Sequence, residues 1–425
     1  MKRRVVVTGV GVVAPNGIGV EAFTQALREG RSGIRAVPRL RELGFGCQVA
    51  GVPEGADARV DERFDEDDRL AMNSNHRYAS LAALEAWVPG GLRRPERGDD
   101  AVDWDAGTIL GTGIGGMDTI GERVVPYTDG GRVRRLGSTA VEQVMASGIS
   151  ARVGGLLALG NQVTTNSSAC STGTEAIAEG LARIRSGRAE RMLCGGSEGA
   201  SPYIWAGFDA MRVLTRASND EPERASRPMS ASAAGFVPAA GAGVLLLESL
   251  HSALARGAPI FAEVLGAAVN CGGHRGGGSM TAPNPEGVRR CIAAALEDAE
   301  TAPRAVDVIN GHLTATGADP REVRAWAAAL GRTPETLPTI TATKSLIGHA
   351  LGAAGGIECA ACVLMLEGGF LHAAANCEDV HPEIAPFAAS IPSATTPLGD
   401  RRVLVKAGFG FGDVNACVVF AKWDS

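Results

Sequence analysis

Apolar strand-like segments alternate with helix-like segments along the chain, and this alternation limits how it can fold more than any other feature. In the first half, the apolar runs 107–110 and 241–247 are separated by segments whose apolar residues have helical spacing. The second half repeats the arrangement, with strands predicted at 306–310 and 339–343 and a long apolar helix at 352–366. Such alternation is typical of an α/β protein whose sheet is covered by helices on both faces. It also suggests an internal duplication, although no literal sequence repeat supports one.

The length of the chain predicts two units. A chain of 425 residues exceeds what one ordinary core accommodates. Because the strand at 241–247 closes the first series of elements, we divide the chain into an N-terminal half, 1–252, and a C-terminal half, 253–425. Residues 34–68 are predicted to be irregular and residues 201–235 to form a long connection.

Composition and charge exclude several classes of protein. Hydrophobic residues make up 45% of the chain and charged residues 21%, which is typical of a globular protein. A formal net charge of −6 argues against a nucleic-acid-binding protein. No apolar run reaches the ~18 residues of a membrane span. The nine cysteines are scattered without a repeated spacing, so no disulfide framework is expected. We interpret residues 4–9 as the first strand of a cytoplasmic protein, since no convincing cleavage site follows them.

A strand-to-helix junction around Cys170 is the strongest candidate for a reactive site. The segment 161–177 reads NQVTTNSSACSTGTEAI, in which β-branched residues precede the cysteine and a helical pattern follows it. A thiol at a helix start would be favoured as the thiolate, which is its nucleophilic form. The small residues around it would allow a bulky substrate to approach. A buried core cysteine explains the local sequence equally well.

Two of the seven histidines follow a common pattern that reduces this ambiguity. His312 follows an apolar strand in DVINGHLTATG, and His349 lies five residues after Lys344 in TKSLIGHALG. Each would stand near the carboxyl end of a strand, where α/β sheets place their chemistry. A lone histidine in such a place is more often structural. Two histidines with a lysine and a cysteine in the same context indicate a catalytic site.

Glycine loops and a possible metal pair give weaker signals. The loops 9–14 and 111–116 fit a dinucleotide-binding pattern, but neither has the acidic residue expected about 20 positions later. Cys271 and His274 have the spacing of half a metal site, and no second pair completes it. We therefore predict no nucleotide and no metal.

Sequence motifs spread over essentially the whole chain resemble the β-ketoacyl-acyl-carrier-protein synthases. The chain is most similar to the elongating, synthase-II-like type, which includes the ketosynthase subunits of type II polyketide synthases. The motifs that carry the resemblance are RRVVVTGVGVVAPNG, GTGIGG, SSACSTGTEAI, GFDAMRVLTRASND, GGGSMTAPNPEG, NGHLTATG, TKSLIGHALGAAGGIE and GFGFGDVN. The resemblance implies the thiolase fold, in which two similar α/β halves form five layers in αβαβα order.

The resemblance also implies roles for particular residues. By position these are the acyl-accepting nucleophile Cys170; the catalytic histidines His312 and His349; the catalytic lysine Lys344 and its supporting partner Glu358; the gating Phe411, whose backbone N–H would form an oxyanion hole with that of Cys170; the pantetheine contacts Thr314 and Thr316; the acyl-pocket residue Ile114; and the carrier-protein docking residue Arg212. The implied reaction is a decarboxylative condensation of an acyl thioester on Cys170 with malonyl-acyl-carrier protein.

The implied reaction sets expectations for cofactors and partners. No cofactor is expected, because the phosphopantetheine arm belongs to the carrier protein. The expected partners are an acyl carrier protein and a second subunit, either an identical chain or a chain-length-factor-like one. No nucleic acid or membrane partner is expected.

Several positions depart from the family pattern. Leu313 stands where a glycine usually follows the first catalytic histidine, and Asp413 and Val414 replace a Gly-Thr pair. The acidic residues usual before GFV are absent from RPMSASAAGFV. We therefore expect a specialised polyketide or polyene pathway.

Other readings stay open at the sequence level. One is a housekeeping fatty-acid elongation synthase. A second is a non-catalytic chain-length-factor-like subunit, although such partners lack the nucleophile. A third is a degradative thiolase-type enzyme, which the His, Lys, His order disfavours. A pure binding module is the weakest reading.

Overall fold

The computed structural model describes residues 2–424, and strands alternate with helices throughout both halves. The strands are β1 (Val5–Ala14), β2 (Gly17–Ile18), β3 (Ile34–Ala36), β4 (Val49–Gly51), β5 (Ala106–Gly111), β6 (Val163–Thr164), β7 (Arg191–Glu198), β8 (Gly241–Ser249), β9 (Ala262–Cys271), β10 (Val308–Asn310), β11 (Thr339–Thr341), β12 (Phe370–Leu371), β13 (Thr396–Pro397), β14 (Val403–Gly410) and β15 (Val414–Lys422). The helices are α1 (Val20–Glu29), α2 (Pro38–Glu42), α3 (Ala56–Arg63), α4 (Glu66–Leu70), α5 (Ser74–Trp87), α6 (Met117–Thr119), α7 (Val125–Asp129), α8 (Thr139–Val144), α9 (Gly148–Leu156), α10 (Thr172–Arg185), α11 (Pro202–Ala210), α12 (Leu250–Ala255), α13 (Pro285–Asp298), α14 (Asp319–Leu330), α15 (Lys344–Ile347) and α16 (Ala354–Gly368). The predicted α/β class is confirmed.

The order of the strands supports the internal duplication that the alternation of elements suggested and that no literal sequence repeat showed. The first half has the order β6-β5-β7-β8-β1, and the second half has the order β11-β10-β14-β15-β9. In each half the first three strands are parallel to one another and the last two are added antiparallel. The two halves therefore have the same topology.

The two halves meet both at a sheet edge and through a shared layer of helices. Residues 5–7 of β1 pair antiparallel with residues 262–264 of β9, which makes the sheet continuous. Helices α10 and α16 contact strands of both halves. The outer face of the first half is covered by α5, and that of the second half by α13. This is the five-layered αβαβα arrangement expected.

The helix α16 corrects the expectation that no apolar segment of the chain is as long as a membrane span. Residues 351–368 have a mean hydropathy of 1.4 and are long and apolar enough to cross a membrane by length and composition. This segment is 89% buried inside the protein. It also carries Glu358, which is 1% exposed and ion-paired within the core. Its apolar character is therefore explained by packing between the two halves.

Some local predictions were wrong where elements are short. Residues 34–68, predicted to be irregular, contain β3, β4, α2, α3 and α4, which are too short to give a clear period. The helix predicted at 69–87 begins at Ser74, because the Asn73 side chain caps it by accepting from the His76 N–H. Within 201–235, Ser201 caps α11 in the same way through the Tyr203 N–H.

Candidate active site

Cys170 lies in a single 3₁₀ turn, Ala169–Ser171, that leads into α10. The strand expected to end beside it, β6, stops at Thr164, so irregular residues separate strand and thiol. Ala169 has a φ of 49°, which is strained for a residue other than glycine. Cys170 therefore stands on a tight, strained turn that enters a helix.

Contacts with the second half hold this turn in place. The Ser171 hydroxyl is 3.0 Å from the Gly408 carbonyl oxygen and 2.9 Å from the Val414 carbonyl oxygen. A Cβ on Gly410 would lie 2.9 Å from the Ser168 oxygen and 3.0 Å from the Cys170 nitrogen. The glycine thus allows β14 to approach the turn closely. As a result, the backbone N–H of Phe411 lies close enough to the thiol to lower the pKa of Cys170, against the larger effect of burial.

Three predicted residues from different elements converge at this point. Cys170 offers its sulfur, and His312 and His349 offer ring nitrogens, and these ligand atoms lie within 4.8 Å of one another. The two imidazole rings are 5.4 Å apart at an interplanar angle of 84°. His312 is 8% exposed and His349 2%, so both rings are almost removed from water. The site thus combines a thiol with two buried imidazoles.

Hydrogen bonds indicate which ring nitrogen carries the proton in each histidine. The Leu351 N–H donates to Nδ1 of His349 at 3.1 Å. Nζ of Lys344 donates to the His312 carbonyl oxygen at 2.7 Å and lies 3.5 Å from Nδ1 of His312. Because Nδ1 faces a donor in both rings, the neutral imidazoles carry their protons on Nε2. Each ring therefore offers an Nε2–H donor.

Burial determines the charge states of these groups. It lowers the pKa values of His312 and His349 well below the ordinary value, and the charge of Lys344 lowers them further. Burial raises the pKa of the Cys170 thiol to about 11, outweighing the opposite effects of Lys344 and the Phe411 N–H. This raised pKa speaks against the predicted resting thiolate, which stays a prediction. One reason is that α10 begins only at Thr172, so Cys170 precedes the first helical turn, and its side chain is half-buried at the cavity.

A buried charge cluster lies behind the histidines. Lys344 and Glu358 form the ion pair that was expected, and both side chains are almost fully buried. A second lysine, Lys406 on β14, places Nζ 2.8 Å from the other carboxylate oxygen of Glu358. Lys406 is also fully buried. One carboxylate therefore lies between two ammonium groups.

Two buried acids of α14 fix the loop that follows His312. Glu322 accepts the backbone N–H groups of His312 at 2.6 Å and Leu313 at 2.8 Å. Asp319 accepts those of Thr314 at 2.9 Å and Ala315 at 3.0 Å. Burial raises the pKa of Glu322 to about 7. The sequence analysis missed both acids, although their i, i+3 spacing directly after the TATG turn was a usable signal.

A cavity of about 290 Å³ opens onto the thiol. Thr314 and Thr316 line it, and their hydroxyl oxygens are 3.0 Å apart. Phe411 also lines it, and its ring lies 6.2 Å from that of Phe208. Arg321 contributes an exposed cation to the wall. The cavity therefore joins the buried site to the surface past two hydroxyls and one positive charge.

The arrangement agrees with comparisons against known families. A model of the β-ketoacyl synthase N-terminal domain matches residues 2–253, and one of the C-terminal domain matches residues 261–378. The chain belongs to the β-ketoacyl synthase family. It is an acyltransferase of the ketosynthase class.

Relatives of this ketosynthase include fatty-acid and polyketide proteins. The chloroplastic 3-oxoacyl-[acyl-carrier-protein] synthase I of Arabidopsis thaliana is 36% identical, over 99% of this chain and 87% of the relative. The 3-oxoacyl-[acyl-carrier-protein] synthase 2 of Synechocystis is 35% identical, over 99% of both chains. The actinorhodin polyketide putative beta-ketoacyl synthase 1 of Streptomyces coelicolor is 33% identical, over 99% of this chain and 88% of the relative.

Solved structures show the same fold over the full length. The ishigamide ketosynthase/chain length factor matches with a TM-score of 0.88 and 32% identity, covering 100% of both chains. A type II polyketide synthase acyl-carrier protein in complex with its ketosynthase, bound to the hexaketide, matches with a TM-score of 0.87, 28% identity and the same coverage. The predicted thiolase-like fold is confirmed.

Two residues predicted for this ketosynthase lie outside the cavity. Ile114 packs against the core of the first half, and Glu198 holds its loop by accepting the Gly113 and Ile114 N–H groups at 2.8 and 3.2 Å. Arg212 follows α11, is exposed, has a φ of 59°, and directly precedes the cavity-lining Val213. The pocket role of Ile114 and the docking role of Arg212 stay predictions.

The weak motifs have structural explanations. A Cβ on Gly9 or Gly11 would fall within 2 Å of a carbonyl oxygen of α5, so these glycines allow close strand–helix packing. The Gly113 N–H in the second glycine loop is occupied by the Glu198 carboxylate, which leaves it unsuited to phosphate. Nε2 of His274 lies 3.0 Å from the Gly412 carbonyl oxygen, and the Cys271 sulfur contacts the same carbonyl oxygen. Both residues therefore contact the Phe411 loop, which is the connection 411–413 between β14 and β15.

Proposed function

We propose that this ketosynthase takes an acyl group from a carrier-protein thioester onto Cys170 and condenses it with malonyl-acyl-carrier protein. The observation that carries the proposal is the convergence of one thiol and two buried imidazoles at the floor of a cavity. A thiol alone would serve acyl transfer. The paired N–H donors add what decarboxylation needs.

The first step is acyl transfer to the sulfur. A bond forms between the Cys170 sulfur and the acyl carbon, the bond to the pantetheine sulfur breaks, and the thiol proton passes to the departing pantetheine. The oxyanion of the tetrahedral intermediate accepts from the backbone N–H groups of Cys170 and Phe411. Because the resting thiol has a raised pKa, the His312 and His349 N–H donors assist by stabilising negative charge on the sulfur as the proton leaves.

The second step is decarboxylation and condensation. The bond between the malonyl methylene and its carboxylate breaks, CO2 leaves, and the electron pair forms an enolate. The Nε2–H groups of His312 and His349 hold the enolate oxygen without protonating its carbon, because neutral imidazole is a very weak acid. The carbanion attacks the acyl carbon on Cys170, the C–S bond breaks, and the sulfur takes up a proton from solvent, so each cycle consumes one proton for each CO2 released. No cofactor enters these steps, and we propose that enzyme dialysed against EDTA retains full activity.

The path of the substrate arm follows the cavity wall. The Thr314 and Thr316 hydroxyls are placed to bond the amides of a pantetheine arm. Within residues 2–424 the Arg321 guanidinium has neither a hydrogen bond nor an ion pair, because nearby Asp319 and Glu322 bind backbone N–H groups. We infer that Arg321 binds the phosphate at the end of the arm.

The carrier protein and a second subunit are the proposed partners. One structural relative is a ketosynthase in complex with its acyl-carrier protein, and another is a ketosynthase/chain length factor. By this likeness we infer that an acidic carrier protein docks beside Arg212 at the cavity mouth. We also infer a dimer, and light scattering of the purified chain alone distinguishes self-association from a need for a factor subunit.

A specialised polyketide or polyene pathway is favoured over housekeeping fatty-acid synthesis by the Phe411 loop. The buried Asp413 carboxylate accepts the backbone N–H groups of His274 at 3.0 Å and Asn284 at 2.7 Å. These contacts tie the Phe411 loop to residues 272–284 at a position where the family usually has glycine. Turnover of saturated and polyunsaturated acyl carriers tests this reading, and a preference for long saturated chains would reject it.

The test of the central proposal follows the mass of the intact protein. We expect a panel of acyl carriers to add one acyl group to Cys170, and malonyl-acyl-carrier protein then to release CO2 and the β-ketoacyl product. Cys170→Ala should acquire no acyl mass. Absence of acylation in the native chain would instead favour a chain-length-factor-like role, and condensation without malonyl decarboxylation would favour a thiolase-type enzyme.

A further inference from the structure

Lys406 occupies a place where a lysine is energetically unfavourable. It lies on β14, opposite Val418 of β15, and its neighbour on the same face of the strand, Leu404, belongs to the apolar core that includes α16. Its exposure is 0%. Burying an ammonium group among apolar side chains is strongly unfavourable unless a charged partner compensates it. Its presence next to the active site therefore calls for an explanation.

The compensation available to Lys406 is incomplete. Its Nζ lies 2.8 Å from Oε2 of Glu358 and also donates to the Ala407 carbonyl oxygen. The other oxygen of Glu358 is already paired with Lys344. Two ammonium groups share one carboxylate, so the cluster carries a net charge of +1 when all three groups are ionised. This charge lies in a region without solvent to screen it.

The excess charge lies directly behind the catalytic imidazoles. Lys344 contacts the carbonyl oxygen of His312, and Glu358 connects it to Lys406. Both lysines lower the pKa values of His312 and His349. Other ionisable groups lie around the cluster within residues 2–424. Burial raises the pKa values of the thiols Cys291, Cys359, Cys362 and Cys417, lowers the pKa of His372, and raises the pKa of Glu322 to about 7.

We propose that Lys406 is a positioning residue of the condensation chemistry: with Lys344 it more than neutralises Glu358 and leaves a positive field that favours the enolate formed when the malonyl group loses CO2. The proposal rests on the proposed function. Acting through Glu358 and the histidines, Lys406 stabilises negative charge on the substrate and opposes protonation of the imidazoles. Acyl transfer builds its oxyanion at the N–H groups of Cys170 and Phe411, and the charge that lowers the pKa of the Cys170 thiol is that of Lys344, which variants at position 406 retain.

The test separates the two half-reactions over a range of pH. In Lys406→Met the cluster loses its excess charge, so we expect malonyl decarboxylation to fall at least tenfold while acylation of Cys170 changes less than threefold. Without this cation the imidazoles protonate at higher pH. The acid limb of the pH–rate profile, which is the range in which decarboxylation slows as pH falls, should therefore move to higher pH by about one unit. Lys406→Arg retains the charge and should keep the native limb.

Two further variants keep the test decisive even if Lys406→Met does not fold. Lys406→Gln removes the charge but keeps a donor for Glu358, so it should shift the limb like Lys406→Met even if the latter does not fold. The double variant Lys406→Met with Glu358→Gln leaves Lys344 as the only charge and restores a net +1, so its limb should move back toward the native position. A native acid limb in folded Lys406→Met or Lys406→Gln would overturn the inference. Native protein that neither acylates nor releases CO2 would instead overturn the proposed function.

Discussion

At the scale of single residues, Leu313 combines buried packing with a strained backbone. Its side chain is fully buried, and its φ of 31° lies in the left-handed region. Truncating a buried leucine to alanine costs about 3 kcal/mol, and alanine keeps the backbone strain. Glycine loses the same packing but relieves the strain.

We therefore predict that Leu313→Gly is more stable than Leu313→Ala by about 1 kcal/mol, which reverses the usual order of these residues. Denaturant unfolding of both variants beside the native protein measures the difference. A glycine variant less stable than the alanine variant would show that the turn is not strained. Leu181→Ala and Leu181→Gly, at a buried position in the interior of the regular helix α10, form the control pair and should show the usual order.

Residue chemistry was predicted from the sequence more readily than residue environment. The Cys170, His312 and His349 side chains were selected by type and by their position after strands, and the structure brings them together. The pKa of the Cys170 thiol was not predictable, because it depends on the balance between burial and the Lys344 charge, which only the tertiary structure sets. Lys406 was also missed, since a lysine in an alternating strand pattern is ordinarily assigned to the solvent face.

At the scale of elements, α14 supports the active site through a titrating acid. Glu322 accepts the backbone N–H groups of His312 and Leu313, and burial raises the pKa of this carboxyl from 4.5 to about 7. Between these two values the native state holds a proton that the unfolded state releases. Its contribution to stability is therefore complete below pH 4.5 and is lost as pH rises through 7.

Glu322→Gln removes this titration. We predict that the free energy of unfolding of the native protein, relative to this variant, falls by about 3 kcal/mol between pH 4.5 and pH 7.5. Unfolding curves of both proteins at several pH values measure it. A difference that does not change with pH would show that Glu322 is ionised throughout. Glu297→Gln, which makes the same substitution at an exposed position on the outer helix α13, serves as the control.

On the same helix, α14, Arg321 is predicted to distinguish acyl donors that carry a phosphate from those that lack one. Arg321 lines the cavity, whereas Arg324, three residues later, is paired with Glu383. We expect Arg321→Met to raise KM for a phosphopantetheine thioester about tenfold, since a charged hydrogen bond contributes about 1.5–3 kcal/mol. The KM for the pantetheine thioester, which lacks the phosphate, should not change.

Arg324→Met is the matched control and should affect neither donor. Steady-state acylation of Cys170 with the two donors supplies both constants. An equal rise in KM for both donors in Arg321→Met would mean that the residue shapes the mouth of the cavity without binding phosphate.

At the scale of the whole molecule, strand and helix periodicity predicted the fold class, and assembly explains what it could not predict. The pairing of residues 5–7 with residues 262–264 joins segments more than 250 positions apart, and no local pattern encodes such a contact. The Ser171 hydroxyl, which bonds Gly408 and Val414 across the two halves, is likewise invisible in one dimension. The active site is therefore a property of how two equivalent halves meet.

The charge of the whole molecule leads to the last prediction. A protein of net charge −6 repels an acidic carrier protein at long range, so docking depends on local positive charge at the cavity mouth. Within residues 2–424, Arg212 has no ion pair, and it adjoins the cavity-lining Val213. Arg188 is an equally exposed arginine without an ion pair in that range, but it lies beyond the far end of α10, about 21 Å of helix away from Cys170.

We predict that Arg212→Glu raises KM for an acyl-carrier-protein substrate about tenfold while KM for a small acyl thioester stays unchanged. Arg188→Glu makes the same change in net charge and should alter neither constant. Raising the salt concentration should reduce the effect of Arg212→Glu, because screening weakens interactions between exposed charges. Equal effects of the two substitutions would mean that net charge alone governs carrier binding, and equal effects on both substrates would place Arg212 outside the docking surface.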